Sequence, residues 1–191
     1  MVIKVGGGLL HHVDHLDRVL AAIVGVARVR TVVVVPGGGP FADAVRHIDE
    51  RLGLGDDTAH WMAVMAMNQY ASLLAARING AVTATPAVIE MAHRRGQVPV
   101  LAPLSWLRTA DPLPHTWDVT SDSIAAWVAG KLRAPRLLLV KPPGARGARL
   151  VDGYFAKALS PRVDHDCLDA DAAITLLNQI VGNASSAFES R

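Results

Sequence analysis

Lys4 interrupts the apolar run Val2–Val5, which leads straight into Gly6, Gly7 and Gly8. An ammonium in an apolar strand is costly unless it reaches a partner near the strand end. Three consecutive glycines let backbone approach a ligand closely, and successive amides make a nest for anionic oxygens. A second apolar run, Val32–Val35, passes through Pro36 into Gly37, Gly38 and Gly39. Together the two runs read as a cradle for anionic oxygens, with Lys4 as a mobile cation inside it. That points to phosphate chemistry. The pattern is neither a Walker A loop nor a dinucleotide fingerprint: Gly-x-x-x-x-Gly-Lys-Ser/Thr is absent, and the glycines are not spaced Gly-x-Gly-x-x-Gly. Phosphoryl transfer requires neither, because it rests on positioning and on positive charge over the transferring oxygens.

A third polar group stands just before an apolar segment: Asp118, Thr120, Ser121 and Asp122, beside Trp117. Thr120 or Ser121 suits a helix cap. Asp122 in a first turn is favoured by the helix dipole. Capping uses one such side chain, so the cluster has hydrogen-bonding capacity left for a ligand. Other polar residues take plainer readings. His11, His12 and His15 read as a polar lip over the first loop, since no carboxylate or further histidine is spaced to complete a metal site. Asp164, His165 and Asp166 read as a solvated loop. Trp106 and Trp117 either stack on an aromatic acceptor ring or belong to the core.

These residues need elements to hold them. Val2–Val5 is a buried-type strand. Asp14 can cap a helix from His15 to about Arg28 with an apolar face at Leu16, Val19, Leu20, Ile23, Val24 and Ala27. Thr31–Val35 is apolar throughout, as parallel strands covered on both faces tend to be. Pro40 suits a first helical position, and that helix runs to about Leu52. After a loop at Gly53–Asp57, Thr58–Ile78 reads as a long helix ended by Asn79-Gly80. Its Met-rich stripe belongs to the core or to an oligomer face. Pro86–Arg95 reads as a helix, Val98–Leu101 as a strand and residues 102–117 as irregular. Ser121–Leu132 is a helix, Arg136–Lys141 a strand, Pro142–Arg149 a loop and Leu168–Ile180 a last helix before a frayed tail. The alternation predicts an α/β protein, a three-layer sandwich with a mainly parallel sheet and right-handed crossovers. Ligands in such sheets bind at the carboxyl ends of the strands, where both triglycine turns lie.

The chain has 191 residues, enough for one domain with a sizeable core. Its 19% of charged residues is below the average for a domain, which leaves surface to be covered by a partner copy. A formal net charge of +2 with no dense Lys/Arg block argues against nucleic acid or an anionic membrane as partner. No apolar run is long enough to span a bilayer, and no secretory leader is recognisable. The one cysteine, Cys167, reads as a filler thiol and allows no internal disulfide, which suits a reducing cytoplasm.

Three pieces in order carry a resemblance: Lys4-Val-Gly-Gly-Gly, then Val35-Pro-Gly-Gly-Gly-Pro-Phe, then Thr120-Ser-Asp-Ser-Ile-Ala followed by the strand Leu137–Val140. Over about residues 1–145 the chain resembles the amino acid kinase superfamily, which includes acetylglutamate, aspartate, uridylate and isopentenyl phosphate kinases. The resemblance implies one kinase-like domain over residues 1–191, with a shortened C-terminal nucleotide-binding portion. It implies ATP and Mg²⁺ as cofactors and a small-molecule acceptor. Lys4 would stabilise the transferring phosphoryl group, and Asp122 would orient the catalytic lysines. Gly6, Gly7 and Gly8 would hold the nucleotide phosphates, while Gly37, Gly38 and Gly39 approach the acceptor and the γ-phosphoryl. Asp118 and Thr120 match acceptor- or phosphate-side polar positions, Ser121 is a further candidate for binding the substrate, and no residue is expected to hold a metal directly.

The Thr-Gly-Gly-Met-like turn and second catalytic lysine of the C-terminal portion are not visible. Lys141 is the substitute, with Arg146 and Arg149 as further phosphate contacts. The short length and the Trp117–Ala125 motif look most like the small kinases of methanofuran biosynthesis, which phosphorylate aminomethylfuran-methyl phosphate to its diphosphate. An acceptor phosphate would then meet Gly37–Gly39, Arg46 and His60, and its ammonium Asp118 or Asp43. Two other readings stay open: a kinase for another acceptor, such as an N-acyl amino acid carboxylate or another phosphate monoester, and a non-catalytic anion-binding relative.

Overall fold

The computed structural model describes residues 1–146 and 150–189. Among these residues, six parallel strands form one sheet in the order β3-β4-β2-β1-β5-β6. They are β1 (Val2–Val5), β2 (Val33–Pro36), β3 (Ala81–Thr83), β4 (Pro99–Leu101), β5 (Arg136–Lys141) and β6 (Asp164–Asp169). Between them run α1 (Val13–Ala27), α2 (Gly39–Leu52), α3 (Asp56–Ile78), α4 (Pro86–Arg94), α5 (Leu104–Ala110), α6 (Ser121–Lys131) and α7 (Phe155–Ala158), and α8 (Ala170–Glu189) follows β6. A 3₁₀ turn, Gly7–His11, leads out of β1.

β1 lies between β2 and β5, so both its edges are paired, and a core on each face of the sheet buries all four of its residues. Side chains alternate across a strand. Ile3 and Val5 therefore join the core built with Leu16, Ile23, Tyr70 and Leu177. Val2 joins the opposite core, with Leu137, Leu139, Ile124 and Phe155. Lys4 shares the face of Val2 and is sent toward α6. Its position on β1 pairs with Val35 of β2 and Leu139 of β5, which sets it at the centre of the sheet.

The long α3 serves mainly as core: Trp61, Met67, Tyr70 and Leu74 are buried, while Met65 is 40% exposed. It ends at Asn79 in the left-handed region, as expected from Asn79-Gly80. Pro40 does sit in the first turn of α2.

Four expectations are corrected. Asp14 is not the cap of α1; the helix begins at Val13 after His12, and Asp14 stands in its first turn. Residues 104–110 are helical, not irregular, because Leu107 packs into the core and supports two turns that the surrounding prolines disguise. Asp164, His165 and Asp166 are not a solvated loop but half of β6, paired with Arg136–Leu138. An edge strand has one neighbour only, so it tolerates polar side chains, and here Arg136 pairs with Asp166 at 2.6 Å. The last helix consequently starts at Ala170 and not at Leu168. The short β3 and α7 carried no sequence signal of their own. No helix among the described residues is long and apolar enough to cross a membrane.

Candidate active site

The face choice of β1 brings Lys4 under the first turn of α6, where Asp122 waits. Lys4 Nζ lies 2.9 Å from Asp122 Oδ1. Lys141, the last residue of β5, donates to Asp122 Oδ2 at 2.7 Å. One buried carboxylate thus spans two ammoniums from adjacent strands. Lys4 is 4% exposed and Asp122 5%.

Burial alone would raise the Asp122 pKa, but the charges of Lys4 and Lys141, with the Lys141 hydrogen bond, win, so it is held below the ordinary aspartate value. Burial lowers the Lys4 ammonium below the ordinary lysine value, with Asp122 opposing the shift and Lys141 adding to it. With both lysines charged, two cations face one anion. The Lys4 contact also falls outside hydrogen-bonding geometry, so Asp122 Oδ1 receives no aimed N–H. A site of this kind is completed by an incoming anion.

The triglycine turns interlock before they cradle anything. Gly6 donates its amide to Val140 O at 2.8 Å, and Gly37 donates to Val5 O at 2.8 Å. A Cβ on Gly7 would enter the backbone of Gly39, and one on Gly37 would sit 2.5 Å from Gly7 N. Gly39 has φ +57°, the left-handed region. The expected ligand nest is therefore narrower than six glycines: the amides of Gly6 and Gly37 are spent on neighbouring strands. Gly7, Gly8, Gly38 and Gly39 line a cleft of about 260 Å³.

Asp43 and Arg46 of α2 form another wall of that cleft, and Asp56 and His60 of α3 a third. Trp117, Thr120 and Ser121 close it from the chain leading into α6. Arg46 lies over the Trp117 ring at 4.6 Å, and the indole N–H donates to Asp49 at 2.8 Å. Lys4, Asp122 and Lys141 are not lining residues, whereas their chain neighbours Gly7, Gly8 and Ser121 are.

A sequence model of the amino acid kinase family matches residues 1–142. The chain belongs to the amino acid kinase family. It is thereby a phosphotransferase. One curated relative, (5-(aminomethyl)furan-3-yl)methyl phosphate kinase of Methanocaldococcus jannaschii, is 28% identical over 160 residues, covering 82% of this chain and 68% of the relative. Among solved structures, the uridylate kinase of Archaeoglobus fulgidus superposes with TM-score 0.67 at 16% identity, over 93% of this chain and 95% of that one. The UMP kinase of Bacillus anthracis gives TM-score 0.65 at 15% identity, over 95% and 91%. These structural likenesses establish the three-layer α/β/α fold.

Within this kinase, the expected site residues divide. Lys4, Asp122 and Lys141 come together; Arg46, His60, Thr120 and Ser121 gather at the cleft with four of the six glycines. Asp118 does not join them. It is exposed, does not line the cleft, and its carbonyl accepts from Tyr154 N at 3.2 Å. Arg146 is exposed in the loop after β5 and does not line the cleft, and Arg149 lies outside the described residues. No group of three or more His, Cys, Asp or Glu side chains able to hold a metal occurs among the described residues.

Three residues were missed. Asp152 accepts from Thr120 N at 2.9 Å and Thr120 Oγ1 at 2.7 Å. Tyr70, fully buried in α3, donates to Gly6 O at 3.4 Å and so buttresses the first turn. His115 stacks on His60 at 4.1 Å and is held by Asp57 at 2.6 Å and Asp111 at 2.8 Å. The only sequence signal for any of them is that Asp152 precedes a glycine in a polar loop.

The histidine pair has a pH consequence. Burial, with the neighbouring His115, pushes His60 down to about 4. The unfolded chain takes up this proton near the ordinary value of ~6.5, the folded chain only near 4. Stability from His60 is therefore full above ~6.5 and falls as pH drops toward 4. His115 runs the other way: burial would lower it, but its bonds to Asp111 and Asp57 raise it, so its contribution is present below ~6.5 and is lost as pH rises through its folded value. Thermal melts of the wild type and His60→Gln between pH 7 and 4 should show a steeper acid decline for the wild type. Parallel curves contradict a neutral, buried His60.

Proposed function

We propose that this kinase transfers the γ-phosphoryl group of ATP–Mg²⁺ to a phosphate monoester, (5-(aminomethyl)furan-3-yl)methyl phosphate, giving its diphosphate and ADP in methanofuran biosynthesis. The observation that carries the reading is the cleft beside the lysine–aspartate trio. It offers a cation on a flat indole, Arg46 on Trp117, together with the carboxylates Asp43 and Asp56. Those groups suit an acceptor with an anionic end, a planar ring and an ammonium. The relative with this acceptor in its name supports the same choice.

The amides of Gly7 and Gly8 and the two lysines suit the phosphate oxygens, and Asp122, with one oxygen unaimed, holds the lysines apart for them. When bound, ATP–Mg²⁺ supplies the phosphoryl group and its leaving group, with the metal carried by the nucleotide. Lys4 and Lys141 neutralise charge that grows on the oxygens during transfer. The acceptor phosphate is ionised at pH 7, so no residue has to act as a strong base. In this reading the protein works in the cytoplasm as a homo-oligomer, supported by Ile48, Met65 and Leu52, which are 38%, 40% and 71% exposed.

The test is ³¹P NMR of ATP–Mg²⁺ with the furan phosphate, uridylate or an N-acyl amino acid. Diphosphate doublets and ADP with the furan phosphate, at a kcat/KM well above the other acceptors, are expected. Turnover of another acceptor alone replaces the substrate but keeps the kinase.

A further inference from the structure

Asp152 belongs to the chain between β5 and α7, outside the residues that line the cleft. Its carboxylate nevertheless gathers the start of α6. Oδ2 accepts from Thr120 N at 2.9 Å, Thr120 Oγ1 at 2.7 Å and Ser123 N at 3.0 Å. Oδ1 accepts from Ser123 Oγ and from Tyr154 N, the latter at 3.2 Å. Thr120 Oγ1 already accepts the Asp122 amide as the local cap, at 3.4 Å. Asp152 thus caps the Ser123 amide, which the Thr120 hydroxyl leaves open, and goes beyond capping by also binding the hydroxyls of Thr120 and Ser123.

Successive side chains on a helix diverge by about 100°. Here three neighbours have three addresses: Ser121 the cleft, Asp122 the two lysines, Ser123 Asp152. Fixing Thr120 and Ser123, on either side of Asp122, fixes the rotation of the whole first turn. We infer that Asp152 is a positioning residue: it sets the first turn of α6 so that Asp122 spans Lys4 and Lys141. This rests on the phosphotransferase reading of that trio. Asp152 touches none of the three charged groups in its own contacts, and it acts through Thr120 and Ser123.

The groups facing Asp122 are Lys4 from β1 and Lys141 from β5, with the Cys167 thiol of β6 also close enough to act on all three electrostatically. A first turn that drifts weakens both ion pairs, so Asp122 becomes easier to protonate. The deciding measurement is a ¹³C-carboxyl NMR titration of Asp122 in the substrate-free protein, which needs no acceptor. Asp152→Ala should move the Asp122 midpoint to higher pH and lower kcat roughly 10–100-fold, with the acceptor KM within about 3-fold. Asp152→Asn keeps a carbonyl oxygen for the amides and should restore most of both. Arg136→Ala, which loses the pair with Asp166 at the sheet edge, should lower the melting temperature while leaving the titration and kcat unchanged.

An Asp152→Ala protein that melts earlier but keeps the wild-type Asp122 midpoint makes Asp152 a structural cap and overturns the inference. If Asp152→Ala does not fold, Ser123→Ala decides in the same way: a raised midpoint supports the inference, and an unmoved one overturns it. Absence of ADP release with every acceptor would count against the kinase reading, while the titration still reports on Asp152.

Discussion

Asp122→Asn should lower turnover by about 10²–10³-fold at saturating substrates, the usual loss when a pre-arranged electrostatic group is removed. The amide is close in size to the carboxylate, so the space under β1 stays filled. What changes is charge: Lys4 and Lys141 lose the anion that both share at 2.9 and 2.7 Å. Lys4, 4% exposed, is left buried beside another cation. Leaving a buried charge without its partner costs roughly 3–5 kcal/mol, less whatever Lys4 recovers by releasing its proton. The variant should therefore melt earlier than the wild type as well as turn over slowly. Steady-state kinetics with thermal melts check both, and turnover within a few fold of wild type would remove Asp122 from the mechanism. In the wild type the same carboxylate has its pKa held low. Its stabilising contribution is present above the ordinary aspartate value and is lost only as pH falls through the lower folded value.

Gly7→Ala should prevent stable folding or cost more than ~3 kcal/mol, at the upper end of overpacking effects. Its Cβ would run into the backbone of Gly39, and Gly39 cannot yield easily because its own Cβ direction faces Gly7 O at 3.0 Å. The matched control is Gly53→Ala at the end of α2. That position has φ +61° but nothing within 4 Å, so only the left-handed backbone is penalised, at about 1 kcal/mol. Denaturant melts of the two variants separate the costs. Equal losses would mean that the two triglycine turns are not interlocked.

The contrast between these glycines shows what the sequence could and could not disclose. A triglycine after an apolar strand announces close approach, and both turns do lie at the carboxyl ends of β1 and β2. It does not say what approaches. Gly6 and Gly37 meet neighbouring strands, Gly7 and Gly39 meet each other, and only part of the set faces the cleft. Lys4 was legible because an ammonium in a buried strand demands a partner. Lys141 was legible only as the end of an apolar strand, and its pairing with Asp122 depends on β5 lying next to β1, a fact of sheet order. The role of Asp152 was not legible, since its value comes from bonds to residues some thirty positions earlier in the chain, and an acid before a glycine does not announce them. The same limit hid β6, whose polar residues make sense only at an edge with Arg136 alongside.

In the proposed reaction Lys4 and Lys141, held by one carboxylate, neutralise the charge of phosphoryl transfer. The deciding experiment is a ³¹P NMR time course with ATP–Mg²⁺ and the furan phosphate, run on wild type, Lys4→Ala and Lys141→Ala. The expected result is diphosphate and ADP from the wild type, with each variant slower by about 10²–10³-fold while both remain folded. Either variant forming product within a few fold of the wild-type rate would contradict it.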